Sequence, residues 1–203
     1  MKKGNQTDFW GGTMFFVIGM LFLLVAYGVK IGDSVLLPGY SMGTPAPSGN
    51  GAVDVHYVVM NPSSYVYLTG ARFTDRGFGA PSDAQVEQCP DYNHYKYGKQ
   101  RRNEYMSSVG ADEMIERFVS RDVVYLLGES DIDPEDSSMD TGCEAELQGS
   151  QRFERGTNFW KSLRKVVGPP ILRHQSLVTV PGVAHDGHDM FTSEEGQAAL
   201  FGQ

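Results

Sequence analysis

Apolar residues are distributed along this chain in three ways, and each way predicts a different element. From Phe9 to Val29 no charged residue occurs over about 21 positions, against the roughly 20 needed to span a bilayer as a helix. Val123 to Leu127 form a short, almost continuous apolar run, the pattern of a strand covered on both faces in a parallel sheet. From about residue 151 to 167, Phe153, Phe159, Trp160, Leu163, Val166 and Val167 recur at helical spacing, which predicts an amphipathic helix. A second strand, Ser176 to Gly182, follows it. A right-handed crossover makes the two strands parallel neighbours and brings the loops after them to one edge of the sheet. Gly128 ends the first strand and leads into Glu129, Asp131 and Asp133, while His185 lies just past the second. Carboxyl ends of strands are where open α/β sheets place their chemistry. Asp131 is therefore expected within hydrogen-bond reach of His185, about 2.6–3.2 Å, with Asp133 as the rival acid.

The remaining pattern is less regular. Val53 to Met60 reads as a strand, followed by NPSSYVYL. Residues 70–100 form a Gly-, Pro- and Tyr-containing excursion above the sheet. Ala111 to Ser120 is a short helix with acidic residues early, as the helix dipole favours. Thr192 and Glu195 suggest a capping box for a last helix, SEEGQAALF. Gly43 to Gly51 (GTPAPSGNG) is a joint of small residues and prolines across which composition changes. The organisation is thus an N-terminal transmembrane anchor over residues 1–33, a linker over 34–52 and an α/β domain over 53–203. Trp10 and Tyr27 fall near the two ends of the span as interfacial aromatics do, and Lys2 and Lys3 favour a cytoplasmic N-terminus. A cleaved signal peptide and a buried core helix are the competing readings. The run is longer than the 7 to 15 residues usual for signal peptides, and no A-x-A site follows.

A net charge of -8 leaves no basic stripe, so nucleic acid is not an expected partner. The two cysteines, Cys89 and Cys143, have two readings. In an oxidising compartment they pair and close a loop of about 55 residues, worth roughly 4 kcal/mol in the chain-entropy account; in a reducing one they are free thiols. No cofactor or metal is expected. Of His185, His188 and Asp189, the two histidines stand three residues apart and lack the i, i+4 spacing of a helical histidine pair. Asp131, Asp133 and Glu135 lack the glycine that a calcium loop requires at its sixth position, here Asp136. Ser63 and Ser64 follow a strand and could line a pocket, though an Asn-Pro-Ser turn explains them as well. Tyr92, Tyr95 and Tyr97 read as packing over the sheet.

Two stretches carry family resemblances. DFWGGTMFFVIGMLFLLVAYG and YSMGTPA, about residues 7–46, resemble the opening of the small membrane subunit of tripartite tricarboxylate transporters. That family continues into further membrane helices; this chain does not, so the resemblance implies ancestry of the anchor. From about residue 53 onward, VVMNPSSYVYL, CPDYNHYKYG, VVYLLGESDIDP and PGVAHDGHDMF resemble the C-terminal half of a secreted bacterial α/β-hydrolase subfamily. The fold class expected is therefore α/β, a partial α/β-hydrolase-like parallel sheet with flanking helices, preceded by one transmembrane helix. The resemblance implies Asp131 as the acid after the penultimate strand and His185 as the base after the last. It also implies that Cys89 and Cys143 are a disulfide pair.

A serine hydroxyl attacks only when an imidazole takes its proton, and the imidazole needs a carboxylate to fix its tautomer. Gly39-Tyr40-Ser41-Met42-Gly43 matches the G-x-S-x-G nucleophile pattern, which makes Ser41 the candidate nucleophile. The TPAPSGNG that follows forms no elbow helix, and Pro38 interrupts the strand before it, so Ser41 is expected to stay away from His185. Two functions remain open on these residues. One is a membrane-anchored hydrolase of small-molecule esters or related acyl bonds, in the bacterial inner membrane with its C-terminal domain in the periplasm. The other is a non-enzymatic membrane protein, transporter-like or an inactive fusion product of a hydrolase.

Overall fold

The computed structural model describes residues 55–202. The anchor, the linker and Ser41 lie outside the described residues. Three strands form a parallel sheet: β1 (His56–Met60), β4 (Asp122–Gly128) and β5 (Gln175–Val180), in the order β1-β4-β5. Val58 stands opposite Val124, and Tyr125 opposite Leu177. The central strand is the apolar run of the sequence, and its side chains alternate between two buried faces. Val123 and Tyr125 point into one core with Val59, Tyr65, Phe159, Trp160 and Leu163; Leu126 points into another with Val180 and Met190. Burial on both faces explains why this strand lacks the apolar–polar alternation of a half-exposed one. Among the described residues β1 pairs with β4 alone.

The crossover from β4 to β5 runs through α5 (Arg152–Val166), close to the bounds its periodicity predicts. Its aromatic face carries the core: the Phe159 ring stacks on Tyr65 at 4.6 Å between centroids and meets Tyr125 edge-on at 5.6 Å. Gly156 sits mid-helix, at a cost of about 0.5–1 kcal/mol relative to alanine. The reason is the close approach to the sheet, since a Cβ there would lie 2.4 Å from Leu127 Cδ1. A 3-10 turn, Pro169–Arg173, leads into β5.

The excursion over residues 70–100 contains a small hairpin, β2 (Arg72–Thr74) with β3 (Gly77–Gly79), and α1 (Asp83–Gln88). At its centre Arg72 is fully buried, donating to the carbonyls of Thr69, Ala71, Tyr92 and Tyr97, with its guanidinium 4.1 Å from the Tyr67 ring centroid and 5.2 Å from that of Tyr92. Two short helices, α2 (Glu104–Ser107) and α3 (Ala111–Val119), then precede β4.

Several local expectations differ from the structure. The second strand starts and ends earlier than Ser176 to Gly182, because Pro181 has no N–H to donate and Gly182 turns with φ +72°. Thr192 does not cap the last helix. It ends α6 (Gly187–Thr192), and Ser193 is the cap of α7 (Glu194–Phe201), its hydroxyl accepting from Gly196 N at 2.9 Å. The box reading missed this because two hydroxyl residues stand side by side and a second helix precedes the cap. Cys89 and Cys143 form a disulfide, which ties the end of α1 to the start of α4 (Cys143–Glu146). No helix among the described residues is long and apolar enough to cross a membrane.

Candidate active site

The carboxyl ends of β4 and β5 lie side by side, in register from Val123 opposite Gln175 to Gly128 opposite Val180. Beyond them the chain is stitched by backbone bonds, Glu129 N to Val180 O at 3.0 Å and Ser130 N to Val183 O at 2.9 Å. Gly128 permits this closeness, for a Cβ there would meet Val183 O at 2.4 Å and Ala184 O at 2.9 Å. Asn61, just past β1, completes the seam. Its side-chain oxygen accepts from Gly128 N at 2.8 Å and its amide nitrogen donates to Ala184 O at 3.3 Å. It does so with φ +41°, a conformation that asparagine tolerates better than most residues.

This seam delivers His185 to Asp131. Imidazole Nδ1 lies 3.0 Å from Asp131 Oδ2, while Asp133 instead accepts from Glu135 N in the exposed part of the turn. The Asp131 side chain is 2% exposed and that of His185 40%. A carboxylate beside a guanidinium has only lone pairs to offer, so the shared proton belongs on Nδ1 and the lone pair of the ring on Nε2. Among the described residues nothing hydrogen-bonds to that second nitrogen. The pair has the polarity of a general base with its orienting acid.

Asp131 is seated by the start of α5. Phe153 N donates to the Asp131 carbonyl at 3.2 Å, and Arg152 Nη1 reaches Asp131 Oδ1 at 3.3 Å. Arg152 is itself fully buried and also donates to Asp136 Oδ1 at 3.0 Å, Ser138 Oγ at 2.8 Å and Ser63 Oγ at 3.2 Å. One turn on, Arg155 donates to the carbonyls of Gly149, Ser63 and Asp140. Two buried arginines thus hold the whole segment of residues 129–150 against the sheet. The Asp136 carboxyl is held well below the usual carboxylate range, first by the Ser138 hydroxyl and N–H and then by Arg152. For Asp140, desolvation pushes upward but is outweighed by hydrogen bonds from Tyr97, Gly142 N–H and Lys96, so its carboxyl is also lowered.

No protein-family profile matches the chain, and no curated protein does. Solved structures similar to it include the following two. One is poly(aspartic acid) hydrolase-1 from Sphingomonas sp. KT-1, with 21% identity and a TM-score of 0.49 over 72% of this chain and 44% of that one. The other is LpqC, a poly(3-hydroxybutyrate) depolymerase from Bordetella parapertussis, with 17% identity and a TM-score of 0.45 over 73% of this chain and 42% of that one. The chain spans less than half the length of either.

The other sequence candidates occupy structural positions. Ser63 Oγ donates to Ser138 O and Ser64 Oγ to Asp140 Oδ2, so both brace the acidic segment. Asp186 caps α6 by accepting from Asp189 N, which places His188 and Asp189 within a helix that starts after His185. Tyr92 packs on Arg72, and Tyr97 Oη donates to Asp140 Oδ2 at 2.9 Å. Sequence reasoning missed Asn61 and Arg152. The Asn-Pro dipeptide after a strand marks a turn, but the partners of the Asn61 amide, Gly128 and Ala184, are remote in sequence. Arg152 reads as one more polar residue on an amphipathic helix.

Proposed function

We propose that the domain is the acid–base part of an α/β-hydrolase-like enzyme that cleaves ester or related acyl bonds by a Ser-His-Asp mechanism. The observation that carries this reading is the contact between His185 Nδ1 and a buried Asp131 at 3.0 Å, at the ends of adjacent parallel strands. His185 takes the proton of the attacking hydroxyl on Nε2 and returns it to the leaving group. Asp131 keeps the ring in the required tautomer and stabilises the imidazolium formed between those steps. Ser41, in the G-x-S-x-G of residues 39–43, is the candidate nucleophile. The uncharged run Phe9 to Val29 anchors the protein in a bacterial inner membrane with the domain in the periplasm, a compartment in which the Cys89–Cys143 disulfide persists.

The test is labelling of the full-length, detergent-extracted protein with a fluorophosphonate, followed by peptide mapping. Labelling that is lost in His185→Ala is the expected result, and the peptide map together with Ser41→Ala reads whether Ser41, which has no elbow helix after it, is the serine labelled. Absence of labelling in folded protein would overturn the reading and leave the alternative, a non-enzymatic membrane protein descended from a hydrolase. Retention of the protein in the pellet after alkaline carbonate extraction tests the anchor separately.

A further inference from the structure

We propose that Arg152 is a positioning residue of the Asp131–His185 pair, holding one carboxylate oxygen of Asp131 so that the other is presented to the imidazole. This rests on the reading of that pair as the acid and base of the site. Arg152 is the first residue of α5, the end of a helix where a cation is disfavoured by the dipole. Its burial there adds a desolvation penalty that only paired carboxylates offset. Local structure therefore gives no reason for an arginine at this position, and its partners do. The guanidinium divides its donors between Asp131 Oδ1 on one side and Asp136 Oδ1 and Ser138 Oγ on the other.

The geometry separates the two oxygens of Asp131. Oδ1 faces Arg152 and Oδ2 faces His185. With 2% of the side chain exposed, water competes little for either oxygen, and rotation of the carboxylate would break both contacts at once. The charge count also matters. Arg152 alone would cancel the negative charge with which Asp131 supports an imidazolium. Because Asp136 shares the same guanidinium, the cluster of Asp131, Asp136 and Arg152 keeps one net negative charge beside His185. A lysine could not do this, since an ammonium is a point donor that cannot span carboxylates on opposite sides as the planar fork does.

Arg155 provides the control. It is equally buried and clamps the same segment, but through carbonyls, and it does not touch Asp131. The experiment compares the full-length protein with Arg152→Lys, Arg152→Met and Arg155→Lys, reading the His185 ring tautomer by nitrogen-15 NMR and ester turnover side by side. In both Arg152 variants the single Nδ1–H tautomer is expected to give way to a mixture. In the same variants kcat should fall about 10- to 100-fold with KM nearly unchanged, as expected of a misplaced catalytic group. Arg155→Lys should lower stability but leave the tautomer intact. If Arg152→Met does not fold, Arg152→Lys alone decides. An unchanged tautomer and rate in the Arg152 variants would overturn the proposal while leaving the hydrolase reading in place. A shifted tautomer in a protein with no esterase activity at all would retain the positioning role and remove the hydrolase reading.

Discussion

Two of the imidazole–carboxylate pairs in the domain stand at opposite ends of the same sheet. At the amino end, His56 Nδ1 lies 2.7 Å from Asp122 Oδ2; at the carboxyl end, His185 Nδ1 lies 3.0 Å from Asp131 Oδ2. By distance alone the first is the better pair. Yet the Asp122 side chain is 63% exposed, and Nε2 of His56 is already taken by the Ala199 carbonyl at 2.9 Å. Asp131 is buried, and Nε2 of His185 is uncommitted among the described residues. The proposed catalytic pair is thus distinguished by an acid shielded from water and a base with one nitrogen to offer, whereas His56 fastens α7 to β1.

The sharpest way to break this comparison is to neutralise each acid in turn. Asp131→Asn should lower ester turnover by about 10⁴-fold, the magnitude seen when a triad loses its orienting acid, while Asp122→Asn should leave it within about twofold. Equal losses, measured as kcat on the same substrate, would abolish the distinction. The disulfide comes next, because it ties the excursion to the acidic segment and touches neither strand of the amino-end pair. Replacing Cys89 and Cys143 with serine should cost about 4 kcal/mol by loop entropy, read from the denaturant midpoint. Hydrogen exchange should show protection falling in residues 129–150 and not in β1.

Gly128→Ala addresses the seam that carries His185. The added methyl cannot coexist with Val183 O at 2.4 Å, so a loss of about 1–3 kcal/mol is expected, as for other overpacked sites. Turnover should fall with it while the His56–Asp122 contact survives in NMR spectra. Acid provides a milder perturbation. Asp136 and Asp140 have lowered folded-state values, so the stability they contribute is complete above their unfolded values of about 4 and is lost as pH falls through the folded ones. The segment of residues 129–150 should therefore loosen on acidification, and Asp136→Asn should flatten that dependence in a pH series of denaturant midpoints. The smallest effect belongs to His56→Gln, whose exposed acid partner limits the loss to under about 1 kcal/mol, with no change in turnover.

How far the sequence reads ahead of the structure differs by element. The central strand and α5 are legible because their partners are generic: any apolar surface serves, so periodicity alone places Val123, Tyr125, Phe159 and Leu163 inside. The meeting of Asp131 with His185 follows from topology, since a strand–helix–strand unit leaves the ends of both strands at one edge. The choice of Asp131 over Asp133 is not legible in that way. It depends on Phe153 N and Arg152 holding the first acid in place while the second turns outward to Glu135 N.

What the sequence by itself determined is therefore the alternation of strand and helix, the edge of the sheet at which acid and base meet, and, through the family motifs it resembles, the pairing of Cys89 with Cys143. What only the tertiary structure decided is how that edge is held: Asn61 bridging Gly128 and Ala184, and Arg152 spanning Asp131, Asp136, Ser138 and Ser63. The physical reason lies in the range and direction of the forces. Apolar burial is non-directional and its pattern is written locally along the chain. A buried polar side chain must find particular partners at hydrogen-bond distance, and for Asn61 and Arg152 those partners come from segments that folding alone brings together.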